Sequence, residues 1–176
     1  MAPRAPTLAA ACFVVLALPA PAAACTGAHR RPTAATLERA ARATACLIDA
    51  QRGAHGLRAL RTNARLARAA RRHSREMVAR RYFDHTDPGG HGPAARIAAT
   101  GYLAGAHAWA IGETIAWGSG PFATPAAIVR DWMRSPPHRA TILDAVLRDV
   151  GVGFARGSPA GLGRAATVTA DFGARH

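Results

Sequence analysis

Apolar positions along the chain keep a helical period in the first half and shift to short β-branched runs near the end. Leu37, Ala40, Ala41, Thr44, Leu47, Ile48 and Gln51 predict a first helix over residues 36–52, closed at Gly53, since glycine tolerates the left-handed conformation that ends a helix. "GLRAL" reads as a short extended stretch. Asn63 is a good N-cap for a second helix, with Leu66, Ala69, Ala70, His73, Met77 and Val78 on its inner face and its end around Arg81. "HTDPGGHG" is turn chemistry, so a loop starts at His85. A short helix from Ala94 to Thr100 closes at Gly101. Another opens with Thr124 as N-cap and Pro125 at its first position, buries Ile128, Val129 and Trp132, and stops before Pro136. "VGVGFA" and "ATVTADFG" read as strands that pair antiparallel. Helices early and strands late predict an α+β fold rather than a doubly wound parallel sheet.

The 176 residues begin with the marks of a secretory signal: Arg4, an apolar run from Leu8 to Ala20, then Ala22-Ala23-Ala24 as a small-residue cleavage site. Residues 1–24 are therefore expected to be removed, and what remains fits one domain. The apolar run falls short of the ~20 residues needed to span a bilayer, and no later segment supplies them. The expectation is a secreted monomer, extracellular or periplasmic. Cys12 leaves with the signal, so Cys25 and Cys46 are an even pair in an oxidising compartment, and a disulfide between them is predicted. It would tie residues 25–36 to the first helix and contribute roughly 3 kcal/mol by loop-closure entropy. The competing reading, a lipidated Cys25, wants a Leu three residues upstream, where Ala22 stands.

The net charge of +13 comes entirely from arginine, because the chain has no lysine. Arg61, Arg65, Arg68, Arg72 and Arg75 recur at helical spacing and draw a positive stripe, a candidate surface for anionic polymers. The opposing reading is a solvated face in an Arg- and Ala-rich chain. Aromatics for base stacking are missing until Tyr82 and Phe83, so no specific nucleic-acid recognition is expected.

Several chemistry-bearing patterns are absent: no H-E-x-x-H, no G-x-S-x-G and no P-loop. "GLGRAA" meets a dinucleotide fingerprint only formally, since it precedes a strand. Three stretches stand out: "YFDH" (82–85), "IGETIAWG" (111–118) and "WMRSPPHR" (132–139), each holding one ionisable residue among aromatic or glycine anchors. His85, Glu113 and His138 are a candidate ligand set for zinc or another divalent cation, with water in the fourth position. Spacing alone carries this weakly. His73, at helical spacing with Leu66, Ala70 and Met77, reads instead as a hydrogen-bonded core histidine; Trp117, Trp132 and Tyr102 read as core and cleft-wall residues.

"HSREMVARRYFDHTDPGG", "GYLAGAHAWAIGETIAWGSG", "IVRDWMRSPPHRATIL" and "VGVGFA" with "ADFG", in that order, resemble the bacterial branch of the CAP superfamily, the SCP domain of cysteine-rich secretory, antigen 5 and pathogenesis-related proteins. The resemblance covers roughly residues 37–173 and implies a CAP domain over residues 37–174, an α-β-α sandwich with a central antiparallel sheet. It also implies a cleft lined by two histidines and two acids. His85 resembles the first His, Glu113 the first acid and His138 the second His, while Ser135 stands where the second acid would follow Trp132. A cation site would then be weaker or completed by solvent. The implied function is a secreted binding module for a divalent cation, lipid or cell-envelope ligand. The alternatives are a hydrolase using a metal-bound water of pKa about 7 or a His/Glu pair, with Ser135 or Asp84 nearby, and arginine-mediated adhesion to anionic polymers.

Overall fold

A computed structural model describes residues 25–176; the expected signal, residues 1–24, lies outside the described residues. The element order is α1 (Leu37–Ala54), β1 (Arg61–Thr62), α2 (Ala64–Arg80), α3 (Pro93–Ala98), β2 (Trp109–Ser119), α4 (Pro125–Arg134), α5 (Pro136–Ile142), β3 (Asp149–Arg156) and β4 (Ala165–Arg175). The sheet runs β1-β3-β4-β2. Its three long strands are antiparallel, as predicted, whereas the two-residue β1 lies parallel to β3 at one edge, so the sheet is mixed. No described helix is long and apolar enough to cross a membrane.

Both faces of the sheet are covered, which is why β3 and β4 are buried along almost their whole length. On one face Val150, Val152 and Phe154 of β3 and Ala166, Val168, Ala170 and Phe172 of β4 pack with Leu47 and Ile48 of α1, Ile128 and Trp132 of α4 and Ile142 of α5. The other face takes α2 and α3 through a smaller apolar cluster of Leu66, Ala69, Ile97 and Tyr102. The glycines of "VGVGF" belong to this second face. A Cβ on Gly151 would sit 1.9 Å from the Ala67 nitrogen, and one on Gly153 would sit 2.1 Å from that of Arg71. Only glycine lets the backbone of α2 lie directly on β3. Ser74 completes the contact, its hydroxyl donating to the Gly153 carbonyl at 2.9 Å.

Local expectations hold with adjustments. Asn63 caps α2 by accepting from the Arg65 and Leu66 N–H groups, and Thr124 caps α4 by accepting from Ala127. α1 continues past Gly53 to Ala54, because the closing glycine is Gly56 (φ 72°), after which the Leu57 N–H returns to the Arg52 carbonyl at 2.9 Å. "GLRAL" is coil; only Arg61 and Thr62 behind it join the sheet. α3 is shorter than predicted at Pro93–Ala98. β2, at 11 residues as long as β4, is a strand that the residue pattern does not announce, because its glycines and alanines blur the alternation.

Cys25 and Cys46 are bridged, with Cα atoms 5.7 Å apart, so the Cys25 sulfur is not free for a lipid. The Ala126 N–H donates to the Ala28 carbonyl at 2.9 Å, tying residues 25–36 to α4 as well.

Candidate functional site

Glu113 is the centre of the polar cluster. It lies on β2 facing α2 and α3, its side chain 2% exposed, and it pairs in register with Asp171 of β4. Four separate segments bring polar groups to it. α2 supplies His73, fully buried, with Nε2 3.8 Å from Glu113 Oε1 and Nδ1 3.2 Å from the Tyr82 hydroxyl. α2 ends at Arg81, whose left-handed φ of 55° turns the chain into the loop carrying His85. That loop is held by side chain to backbone bonds, Asp84 accepting from Thr86 and Asp87 from Gly89 and His91.

His85 Nδ1 meets Glu113 Oε1 at 2.7 Å, and Arg96 of α3 donates from Nη2 to Oε2 at 2.7 Å. The same guanidinium donates through Nη1 to the His91 carbonyl at 2.7 Å, so Arg96 fastens the loop to the carboxylate. His85 is the rim of the cluster, its side chain 47% exposed, whereas Arg96 is 5% exposed.

These contacts separate the titrations. Burial by itself would raise the Glu113 carboxyl, but the His85 hydrogen bond and the Arg96 charge outweigh it and hold Glu113 below the usual carboxylate range. The bond to Glu113 raises His85 above the usual imidazole value, against a smaller effect of burial. Burial lowers His73, partly opposed by Glu113. His138 is lowered by burial and by the charge of His85, which places the two imidazoles within electrostatic reach of each other. Asp171, fully buried, is raised well above its usual value by burial and by the negative charge of Glu113. The cluster therefore favours an ionised Glu113, the protonated form of Asp171, the neutral forms of His73 and His138, and the protonated form of His85.

The structure joins His85 directly to Glu113. His138 sits on α5 beside the same edge strand, half-buried, its Nδ1 without a hydrogen-bond partner among the described residues. Ser135 acts through its backbone at the junction of α4 and α5: its N–H donates to the Asp131 and Trp132 carbonyls, its carbonyl accepts from Arg139, and its side chain makes no capping bond. Pro136 starts α5 at once, and this break sets the path of His138. Asp84 accepts the Thr86 N–H through Oδ1.

The arginine stripe is not one helix face. Arg61 lies in β1, paired with Asp149 at 2.9 Å, and Arg68 donates to the Thr100 carbonyl at 3.0 Å; Arg65, Arg72 and Arg75 are exposed on α2. Trp132 and Tyr102 are core residues as expected, Trp132 donating to the Ile115 carbonyl on the open edge of β2 and Tyr102 to Asp149. Trp117, read with them as a core or cleft-wall residue, is exposed and so is not part of the core.

Sequence reading missed Arg96, Asp171 and the contact of His73 with Glu113. A signal existed for the first two: an arginine in the apolar helix "PAARIA" and a carboxylate in the apolar strand "ATVTADFG" each call for a buried partner.

A divalent cation at His85, Glu113 and His138 is poorly matched by this arrangement. Among the described residues no group of three or more His, Cys, Asp or Glu side chains is placed to hold a metal ion. Both Glu113 oxygens are taken, and a guanidinium stands where a cation would approach. As arranged, these residues do not fit a metal.

Comparison with known proteins agrees with the fold. The family model for CAP, the cysteine-rich secretory protein family, matches residues 46–171. The Bacillus subtilis (strain 168) protein YkwD is 33% identical over 108 residues, which are 61% of this chain and 39% of YkwD, so the chain matches well under half of that relative's length. An extracellular SCP-domain protein from Bacillus anthracis superposes with a TM-score of 0.63 at 22% identity, covering 80% of this chain and 43% of that one. An outer surface protein from Borrelia burgdorferi gives 0.62 at 20% identity, covering 75% of this chain and 90% of that one. The chain belongs to the CAP family.

Proposed function

We propose that this CAP domain is an extracellular binding module whose cleft at His85, Glu113 and His138 receives a carboxylate-bearing group of a cell-envelope ligand. The observation that carries the reading is how the cluster spends its hydrogen bonds. Glu113 uses its two oxygens on His85 and Arg96, leaving His85 with its second ring nitrogen free at the rim, while His138 is half-buried and its buried Nδ1 has no partner among the described residues. The hydrogen bond to Glu113 raises the His85 imidazole above its usual value, which favours the protonated ring and so a charge-assisted donor at its free nitrogen for an acidic or hydroxyl-bearing ligand. The extracellular setting is supported by the Cys25–Cys46 bridge and by the likeness to an extracellular protein of Bacillus anthracis and an outer surface protein of Borrelia burgdorferi.

Binding is favoured over hydrolysis because the Ser135 hydroxyl is hydrogen-bonded to neither imidazole, so Ser135 has no base paired to it as a nucleophile would. The test is calorimetry of the disulfide-bonded protein against N-acetylmuramic acid and, in parallel, zinc. Saturable binding of the sugar acid, lost in His85→Gln and weakened in His138→Gln, supports the reading. Binding of zinc alone, at micromolar strength and lost in the same variants, would replace it with the metal site.

A further inference from the structure

A second concave site lies at the other end of the sheet. Glu113 pairs with Asp171, whereas Ala165 at the start of β4 pairs with Ser119, six positions away and so roughly 20 Å along the strand. There a cavity of about 730 Å³ opens between residues 27–40, the end of β3 and the β3–β4 turn. Arg30, Arg31, Arg39, Arg156 and Arg164 line it, with Thr33 and no acidic residue. None of the five guanidiniums forms an ion pair or hydrogen bond within the described residues, in contrast to Arg61, Arg71, Arg80 and Arg96. Five like charges converge on one hollow with nothing to neutralise them.

The wall is fixed rather than loose. The Cys25–Cys46 bridge and the Ala126 to Ala28 backbone bond hold the segment, the Thr33 N–H donates to Thr36 Oγ1 at 2.8 Å, and the Arg39 stem packs over Gly27, whose left-handed φ of 91° excludes a side chain there. A guanidinium presents a planar fork that matches phosphate oxygens two at a time. The volume exceeds what one phosphate fills and lies within the range of ordinary ligand pockets.

We propose that this cavity binds a ligand carrying more than one phosphate group, gripped by Arg30, Arg31, Arg39, Arg156 and Arg164. The site is independent of the Glu113 cleft and stands whether or not the cleft binds a sugar acid. It is also distinct from the exposed arginines of α2, of which Arg65 and Arg72 supply the control.

The test is calorimetric titration of sodium tripolyphosphate, against monophosphate, into the disulfide-bonded protein at low salt. Wild type binds tripolyphosphate at one saturable site, Arg39→Gln/Arg164→Gln weakens it about tenfold or more, and Arg65→Gln/Arg72→Gln, with the same change in net charge, weakens it less than about threefold. Arg30→Gln/Arg31→Gln, in the surface segment, repeats the first result should the former pair lower the melting temperature. Equal losses from the cavity and stripe pairs, or no saturable binding by folded wild type, would overturn the proposal. Sedimentation with phosphatidylcholine vesicles containing phosphatidic acid identifies the source. Retention competed away by tripolyphosphate places the phosphates on lipid headgroups; no retention, with tripolyphosphate binding intact, places them on a soluble or polymeric phosphate.

Discussion

Glu113 and Asp171 face each other across the β2–β4 ladder, two buried carboxyl groups in register with the Arg96 guanidinium bound to Glu113. Burial and the negative charge of Glu113 together hold the Asp171 carboxyl well above its usual range.

This arrangement sets a pH dependence. The folded-state value of Asp171 is raised above its usual 3.8, so the stability it contributes is full below that value and is lost as pH rises through the folded value. Asp171→Asn keeps the shape and removes the titration. Thermal denaturation from pH 5 to pH 9 is expected to show the variant gaining on wild type as pH rises; parallel curves would mean that Asp171 does not titrate in this window.

Arg96 and His85 both bond to Glu113, yet their removal should differ in cost. Arg96→Ala leaves a buried carboxylate without its cation and is expected to lower stability by about 3–5 kcal/mol. His85 is half exposed, and water replaces it, so His85→Ala should cost about 1 kcal/mol or less. Urea denaturation at pH 7 measures both. Equal costs would show that the guanidinium is not what stabilises the ionised Glu113.

Gly153→Ala forces a methyl into the α2 backbone and is expected to cost about 3 kcal/mol or more, since neither helix nor strand can give way. Gly163→Ala, where a Cβ meets open space, should change stability by less than about 0.5 kcal/mol. The difference in urea midpoints checks the direct seating of α2 on β3.

Replacing Cys25 and Cys46 together by Ala opens a loop with a sequence separation of 21 and is expected to cost roughly 3 kcal/mol. The double variant should also bind tripolyphosphate more weakly, because one wall of the arginine cavity loses its tether. Unchanged melting would show that the segment is held by its backbone bond to α4 alone.

Much of the fold was legible in residue pattern. Asn63, Thr124 and Pro125 mark helix starts because capping is local chemistry, and the periods of α1 and α2 match the faces they bury. β2 escaped because an edge strand carrying Gly112, Ala116 and Gly118 with exposed Trp109 and Trp117 lacks a regular alternation. His85 and Glu113 stood out through turn and glycine context and, with His138, through family resemblance. Arg96 and Asp171 did not, because their importance comes from which side of which strand they meet, and register is a tertiary property. His73 looked like a core histidine and is one, yet burial also sets it beside Glu113.

The most direct measurement is an NMR pH titration of the histidine ring resonances, with and without N-acetylmuramic acid. The account predicts that His85 titrates above the ordinary imidazole value and His73 and His138 below it, and that the sugar acid shifts the His85 and His138 signals saturably while raising the His85 pKa further. A His85 that titrates at or below the ordinary value and is indifferent to the sugar acid would contradict it.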